Sequence, residues 1–332
     1  MPDNPPFISV VVPTCERPTT LKVLIDSLAA CCYSKDSYEI IVVDQSSSNG
    51  KRGQTEKICS LIDNLIYIHS DIKCSSDSRN RGWERAKGKI IAFTDDDAIV
   101  DSQWLNALAD AFGKHKKNVG IVGGRIVPLF KGKKPDWLPP EREYLLPSFN
   151  YDGEMRPFPE NSLPISVNLA IWRSLFKELG GFNTKLGLKN DAEIPYIGGE
   201  DTYLGMKVRE AGYHIIYQPE AIVYHPVTSW RLKKKFFLIR NFREGTTCMA
   251  LESVKERCTE KVLAKHTSWH FKRACFLVLL LIKDFIIPKK GRAKAYMLCA
   301  SKIAFSLGVI KYSQFLKKSQ ICHYSLGKKN QR

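Results

Sequence analysis

Short β-branched apolar runs alternate along the first two-thirds of the chain with segments whose apolar residues recur every three or four positions. Phe7–Pro13 and Tyr38–Asp44 are continuous apolar runs closed by polar residues, the pattern of strands buried on both faces. Between them Thr19–Ala30 carries apolar residues at 21, 24, 25 and 28, which predicts a helix with one buried face. Leu61–Ile68 predicts a third strand, Ser78–Ala86 a helix, Ile90–Phe93 a fourth strand and Trp104–Phe112 a helix. Gly120–Val127 and Ile165–Trp172 read as further strands, and Ser174–Leu179 as a short helix closed by Gly180-Gly181. Thr202–Ala211 is a predicted helix behind Gly198-Gly199-Glu200-Asp201, and His214–Tyr217 and Ala221–Tyr224 are predicted as two brief strands.

Alternating units of this length imply an α/β protein with a doubly wound, mostly parallel sheet and helices on both faces. Such sheets bind ligands beyond the carboxyl ends of their strands, where the strand order switches. Pro13, Thr14, Asp44 and Asp95–Asp97 all fall at predicted strand ends and are expected to share one crevice. The loop from Leu129 to Pro164 holds seven prolines between Pro135 and Pro164. A connection that long inside a compact domain is usually functional.

Charge divides the chain more sharply than hydropathy does. Met1–Ser229 has 27 Lys+Arg against 29 Asp+Glu, whereas Trp230–Arg332 has 24 against 5, so the whole +17 excess belongs to the last third. The expected organisation is therefore a catalytic domain over 1–229 and a basic, mainly helical region over 230–332. The ten cysteines show no metal-binding or redox spacing, which suits a reducing cytosol. Met1–Pro6 lacks the basic start and apolar stretch of an export signal. Ala274–Ile287 is the longest strongly apolar segment, but it contains Lys283 and Asp284 and is too short to span a bilayer, so no crossing is expected.

Three adjacent carboxylates at 95, 96 and 97 repel one another unless a cation or hydrogen-bond donors offset their charge. Hard oxygen ligands favour Mg2+ or Mn2+, and the anion such an ion most often carries in an α/β protein is a diphosphate. A solvated acidic turn is the alternative. Arg79 and Asn80 open a predicted helix aimed at the same crevice, where donors and the helix N-terminus favour an anion. Arg79, Arg81 and Arg85 could equally form surface pairs with Asp77 and Glu84. Arg17 is close enough to the first strand to reach a base or phosphate, or to remain solvated. Two glycines ahead of Glu200-Asp201 allow a ligand to approach the backbone, while Asp201 could also cap its helix.

Six segments in order resemble the inverting family 2 glycosyltransferases of GT-A fold. They are Val11–Arg17, Ile41–Ser47, Ser78–Gly82 with Ala86–Gly88, Asp95–Asp97, Leu179–Phe182 and Gly199–Thr202, and the resemblance covers roughly residues 7–228. It implies a Rossmann-like sheet and a donor site built from Pro13, Thr14, Arg17, Asp44, Arg79, Asn80, Asp95 and Asp96. Asp44 would accept the N3–H of uracil or thymine, so the donor would be a UDP- or dTDP-linked sugar. Asp95 and Asp97 would surround Mn2+ or Mg2+ together with His225, which closes a predicted strand. Asp96, between them, is expected to point away. Asp201 would be the general base and Glu200 would orient it or bind acceptor hydroxyls. The implied reaction is a single displacement, with inversion, onto a hydroxyl of a saccharide or lipid-linked acceptor in glycan or polysaccharide synthesis.

The run Lys233–Arg243 mixes cations with bulky apolar side chains and suits an anionic membrane surface, with Trp269–Ile287 and Tyr296–Ile310 adding apolar helical faces. Peripheral attachment at the cytoplasmic face of the membrane is the expected location. The alternative is a helical subdomain whose apolar faces pack on the catalytic domain. Nucleic acid is not an expected partner, because no nucleic-acid module accompanies the charge. Two competing functions remain: a nucleotidyltransferase, which would want a glycine-rich phosphate loop where Pro13–Pro18 has no glycine, and a basic adaptor that keeps the fold with idle acids.

Overall fold

A computed structural model describes residues 5–114, 118–146, 148–151, 153–187, 197–255, 259–286 and 292–329. These residues fall into two compact units, one drawn from 1–129, 147–191 and 200–227 and the other from 130–146, 192–199 and 228–332.

The first unit is built on strands β1 (Ile8–Thr14), β2 (Tyr38–Asp44), β3 (Leu65–His69), β4 (Ile90–Phe93), β5 (Ile99–Val100), β6 (Val119–Phe130), β7 (Arg156–Pro157), β8 (Leu169–Trp172) and β9 (His214–Val227). Their order is β3-β2-β1-β4-β8-β6-β9-β5, with β7 paired on β9. β3, β2, β1 and β4 are parallel, whereas β8 pairs antiparallel with both β4 and β6, and β5 pairs antiparallel with β9. The sheet is thus mixed, and its order reverses beside β1, where chain order runs outward through β2 to one side and on to β4 at the other.

Alternation along the central strands sends side chains into two cores. Val10 and Val12 of β1, with Ile40 and Val42 of β2, pack under helices α1 (Pro18–Ala29) and α4 (Trp104–Lys114). Val11, Ile41 and Val43 face the opposite way, toward Phe176 of helix α5 (Arg173–Glu178) and Leu204 and Val208 of helix α6 (Glu200–Glu210). Two further helices complete the unit, α2 (Asn49–Cys59) and α3 (Ser75–Arg85). α3 lies close on β1 at Gly82, where any Cβ would collide with Val11.

The segment predicted as a strand over Ile165–Trp172 opens as a 3-10 turn at Ser166–Asn168 before β8 begins. The two brief strands predicted around 214–224 are one continuous strand, β9.

The second unit comprises helices α7 (Lys234–Val254), α8 (Glu260–Ile286) and α9 (Arg292–Lys329), with a 3-10 turn at Pro140–Leu145. α7 and α8 both pack on α9. α7 meets α9 backbone to backbone, since a Cβ on Gly245 would overlap the Phe305 carbonyl and one on Gly308 would overlap the Phe242 carbonyl. Phe237, inside the basic run expected to meet a membrane, is fully buried with its ring 5.2 Å from that of Trp137. Within α9, Ala293–Lys317 is long and apolar enough to cross a membrane by length and composition, a test that a packed core helix also passes.

Candidate functional site

β4 ends at Phe93, and the chain turns at once: the Ala98 amide donates to the Asp95 carbonyl at 3.0 Å. The turn separates the three acids. Asp96 points inward, accepting a hydrogen bond from Thr14 Oγ1 at 2.7 Å and lying 3.2 Å from Arg17 Nη1. Burial pushes its pKa up to about 6 against the opposing pull of Arg17 and Thr14. Asp97 shares the same Arg17 nitrogen, 3.5 Å from its Oδ2, and with Asp95 meets His225. The pairing of Ile99 with Tyr224 brings the next residue of β9 beside the turn, and His225 Nε2 lies 3.3 Å from Asp97 Oδ1. One donor atom each from Asp95, Asp97 and His225 all lie within 4.8 Å of one another. His225 is 2% exposed, and its Nδ1 is 3.2 Å from the Pro226 carbonyl.

Arg79 joins this cluster to the predicted base pair. Its Nη2 donates to Asp95 Oδ1 and its Nη1 to Glu200 Oε1, both at 2.9 Å, and its Cζ lies 5.7 Å from the Phe182 ring centre. Only 4% of Arg79 is exposed. Burial works against its charge, but Asp95, Glu200 and Asp201 more than compensate, so the guanidinium is held charged. Burial and the neighbouring Asp201 push Glu200 upward, with Arg79 opposing. Ser75 Oγ donates to the same Glu200 oxygen at 3.3 Å. Asp201 stands in the first turn of α6 and is half-buried; its Oδ2 accepts the Ser166 amide at 3.1 Å and its Oδ1 the Thr202 amide at 2.7 Å.

At the end of β2, Asp44 is fully buried. Oδ1 accepts from the Ser46 amide and hydroxyl at 2.8 and 2.5 Å, and Oδ2 from the Tyr67 hydroxyl at 3.1 Å. Burial, then Asp44 itself, raises the Tyr67 pKa, so the phenol stays protonated and remains a donor. Glu16 holds the neighbouring loop with its backbone at φ 59°: Oε1 accepts the Ser47 and Ser48 amides at 2.8 and 2.9 Å.

Thr14, Arg17, Asp95, Asp96, Asp97 and His225 are thus joined by direct contacts, and Arg79 extends the chain to Glu200, with Asp201 beside it. Pro13 lies next to Thr14, paired with Val43 of β2. Asn80 is not among these contacts. Its amide clasps the Phe182 backbone in both directions, each hydrogen bond 2.9 Å long. Arg81 pairs with Asp77 at 2.6 Å, as one of the surface alternatives expected. Sequence reasoning missed Tyr67, Ser46, Glu16, Ser75 and Ser166. Ser46 and Glu16 lie inside the quoted motifs and were open to notice; Tyr67 and Ser166 reach the site only through sheet register and a turn.

Two carboxylates and an imidazole within this span suit a divalent ion such as Mn2+ or Mg2+, so the residues present fit the metal expected from the fold.

The family described as glycosyl transferase family 2 matches residues 9–180, over half of the 332-residue chain. A glucosyl-dolichyl phosphate glucuronosyltransferase of Haloferax volcanii is 27% identical over 241 residues, covering 72% of this chain and 75% of that protein. The succinoglycan biosynthesis protein ExoM of Rhizobium meliloti is 25% identical over 249 residues, covering 74% and 75%. Among solved structures, the mannosyltransferase PcManGT of Pyrobaculum calidifontis, in complex with GDP-Man and Mn2+, superposes with a TM-score of 0.61 at 17% identity, over 95% of this chain and 89% of that one. GalNAc-T7, with UDP, GalNAc and Mn2+, gives 0.53 at 18% identity over 68% and 44%. Strand order, the acid turn with its histidine and the matched region agree: the chain belongs to glycosyl transferase family 2 and is a glycosyltransferase of GT-A fold.

Proposed function

We propose that the enzyme moves a sugar from a nucleoside diphosphate sugar, UDP- or dTDP-linked, to a hydroxyl of a saccharide or lipid-linked saccharide, with inversion at the anomeric carbon. The observation that carries this reading is Arg79, whose one guanidinium contacts Asp95 of the metal-ligand cluster and Glu200 of the Glu200-Asp201 pair. Donor and acceptor machinery are thereby held at a fixed separation.

The roles follow from position. Asp95, Asp97 and His225 would hold Mn2+ or Mg2+, which as a Lewis acid screens the charge of a departing diphosphate. Thr14 and Asp96 form the floor of the donor site, and Arg17, paired with Asp96 and Asp97 but with 55% of its side chain exposed, would offer its guanidinium to a phosphate. Asp44, buried with its oxygens held by Ser46 and Tyr67, is the proposed acceptor of the base's N3–H, which would take the place of one of these donors. Asp201 takes the proton of the acceptor hydroxyl, with its carboxylate oriented by the Ser166 and Thr202 amides. Glu200, pinned by Arg79 and Ser75, positions Asp201 and the acceptor.

A lipid-linked acceptor agrees with the dolichyl-phosphate relative, and a polysaccharide product with the succinoglycan relative. The basic second unit then associates peripherally with the cytoplasmic face of the membrane, where such acceptors are presented.

A thermal-shift panel of UDP-, dTDP- and GDP-sugars with and without Mn2+ tests the donor reading. A ligand at about 100 times its Kd adds about 2.7 kcal/mol of apparent stability, which appears as a clear rise in Tm. The rise is expected for a uridine or thymidine diphosphate sugar and only with Mn2+ present. A rise with GDP-sugars alone rejects the base assignment, and no rise with any nucleotide rejects the donor class.

A further inference from the structure

Helix α8 is apolar on two faces, and only one of them is covered. Leu263, His270, Ala274 and Leu277 are buried. His270 Nδ1 lies 3.3 Å from Ser306 Oγ of α9, and Cys299 Sγ of α9 donates to the Leu277 carbonyl at 3.3 Å. Facing outward are Trp269 at 56% exposure, Phe276 at 59% and Leu279 at 65%, with Leu280 beside them and Phe271 and Val278 on the flank. At 100° per residue, 269, 272, 276, 279 and 280 share one stripe, opposite the buried one.

Among the described residues no other element leaves so many large apolar side chains in solvent; the remaining exposed ones are scattered among loops, strands and helices. A contiguous exposed apolar stripe marks an interaction surface, whereas isolated exposed residues do not.

The charge around the stripe selects the partner. Lys261, Lys265 and Lys272 are exposed along the same face, Arg273 stacks on Trp269 at 5.1 Å, and there is no acidic residue from Lys261 to Lys283. A second copy of this chain meeting the stripe symmetrically would set these cations against their own equivalents. An anionic bilayer surface instead offers hydrocarbon for the rings and phosphates for the lysines. Lys272 and Arg273 interrupt the apolar run of the helix midway, so it lies along the interface and does not cross it.

We infer that the outer face of α8, through Trp269, Phe276, Leu279 and Leu280 with Lys265 and Lys272, is the element that docks this enzyme on an anionic lipid surface. The inference rests on the membrane association proposed above and names its contact. It replaces the run Lys233–Arg243, whose Phe237 is buried inside the unit and whose other large apolar side chains are at most half-exposed.

The test is co-sedimentation of the full chain with phosphatidylcholine vesicles, with and without phosphatidylglycerol. Wild type is expected to pellet with the anionic vesicles only. The combined variant Trp269→Ser/Phe276→Ser/Leu279→Ser is expected to lose at least about tenfold in binding with unchanged circular dichroism. Lys265→Glu/Lys272→Glu, at exposed sites that do not touch the core, is expected to do the same. If wild type binds and both variants bind equally well, α8 is not the contact and membrane association stands without it. Failure of wild type to bind overturns both. A wild-type dimer that the apolar variant turns into a monomer shows that the face covers a second copy.

Discussion

Arg79 donates to Glu200 at 2.9 Å from a position where 4% of the arginine and 6% of the glutamate meet solvent. Two charged groups removed from water this completely depend on each other, because either one left alone keeps the desolvation penalty and loses the attraction. The same guanidinium holds Asp95. Replacing Arg79 with Met is expected to cost about 3–5 kcal/mol in urea unfolding. Arg79→Met/Glu200→Gln is expected to recover part of that loss, so the double-mutant cycle shows coupling. Additive losses would mean that the pair does not interact as described.

The Asp95, Asp97 and His225 cluster predicts a metal dependence that calorimetry reads directly. Asp97→Asn or His225→Ala should weaken Mn2+ binding by at least the roughly 10–100-fold lost when a second-shell partner is removed from a metal site. Chelation with EDTA should abolish transfer, and added Mn2+ or Mg2+ should restore it. Unchanged affinity in both variants would place the ion elsewhere.

Much of this site is visible in the bare sequence because its acids are contiguous. Asp95–Asp97 follow an apolar run and Glu200-Asp201 follow two glycines, so strand and helix ends could be paired with chemistry before any coordinates. Other parts depend on tertiary context. Helix α2 buries only Thr55 and Cys59 and contains Gly50 and Gly53, so it has no apolar stripe to detect. Pro219 and its polar neighbours Gln218 and Glu220 split the apolar pattern of β9 in two, although its pairing with other strands carries it through. Asn80 sits in a motif that points to the donor, yet its amide meets the Phe182 backbone, a contact across 102 residues that local pattern does not encode. The aromatic residues of Lys233–Arg243 suggest a membrane contact, but one of them, Phe237, is buried against Trp137, from a distant loop.

The crossing of α7 and α9 gives a prediction whose sign runs against propensity. Alanine in place of a helical glycine normally stabilises by about 1 kcal/mol. Gly245→Ala and Gly308→Ala should each destabilise instead, by about 1–3 kcal/mol, because the added methyl meets a backbone carbonyl of the facing helix. A rise in Tm for either variant would mean that the helices do not approach this closely.

His270 sets a pH dependence. Burial, with Arg273 and His266 nearby, lowers its pKa from 6.5 to about 4. The unfolded chain therefore takes up this proton first, so the stability linked to a neutral His270 is complete above about pH 6.5 and declines as pH falls toward 4. Tm should drop between pH 7 and 5 by more in wild type than in His270→Gln. Parallel curves would show that the imidazole titrates normally in the folded protein.

The central claim is that Asp201 removes the acceptor proton at a donor site organised by Asp95, Asp97 and His225. Its most direct test is turnover of the nucleotide sugar by Asp201→Asn, measured beside Mn2+-dependent nucleotide binding by the same protein. The expected result is a loss of roughly 100-fold or more in kcat, in line with the contribution of a general base, with nucleotide affinity unchanged. Wild-type kcat in the variant would contradict the account.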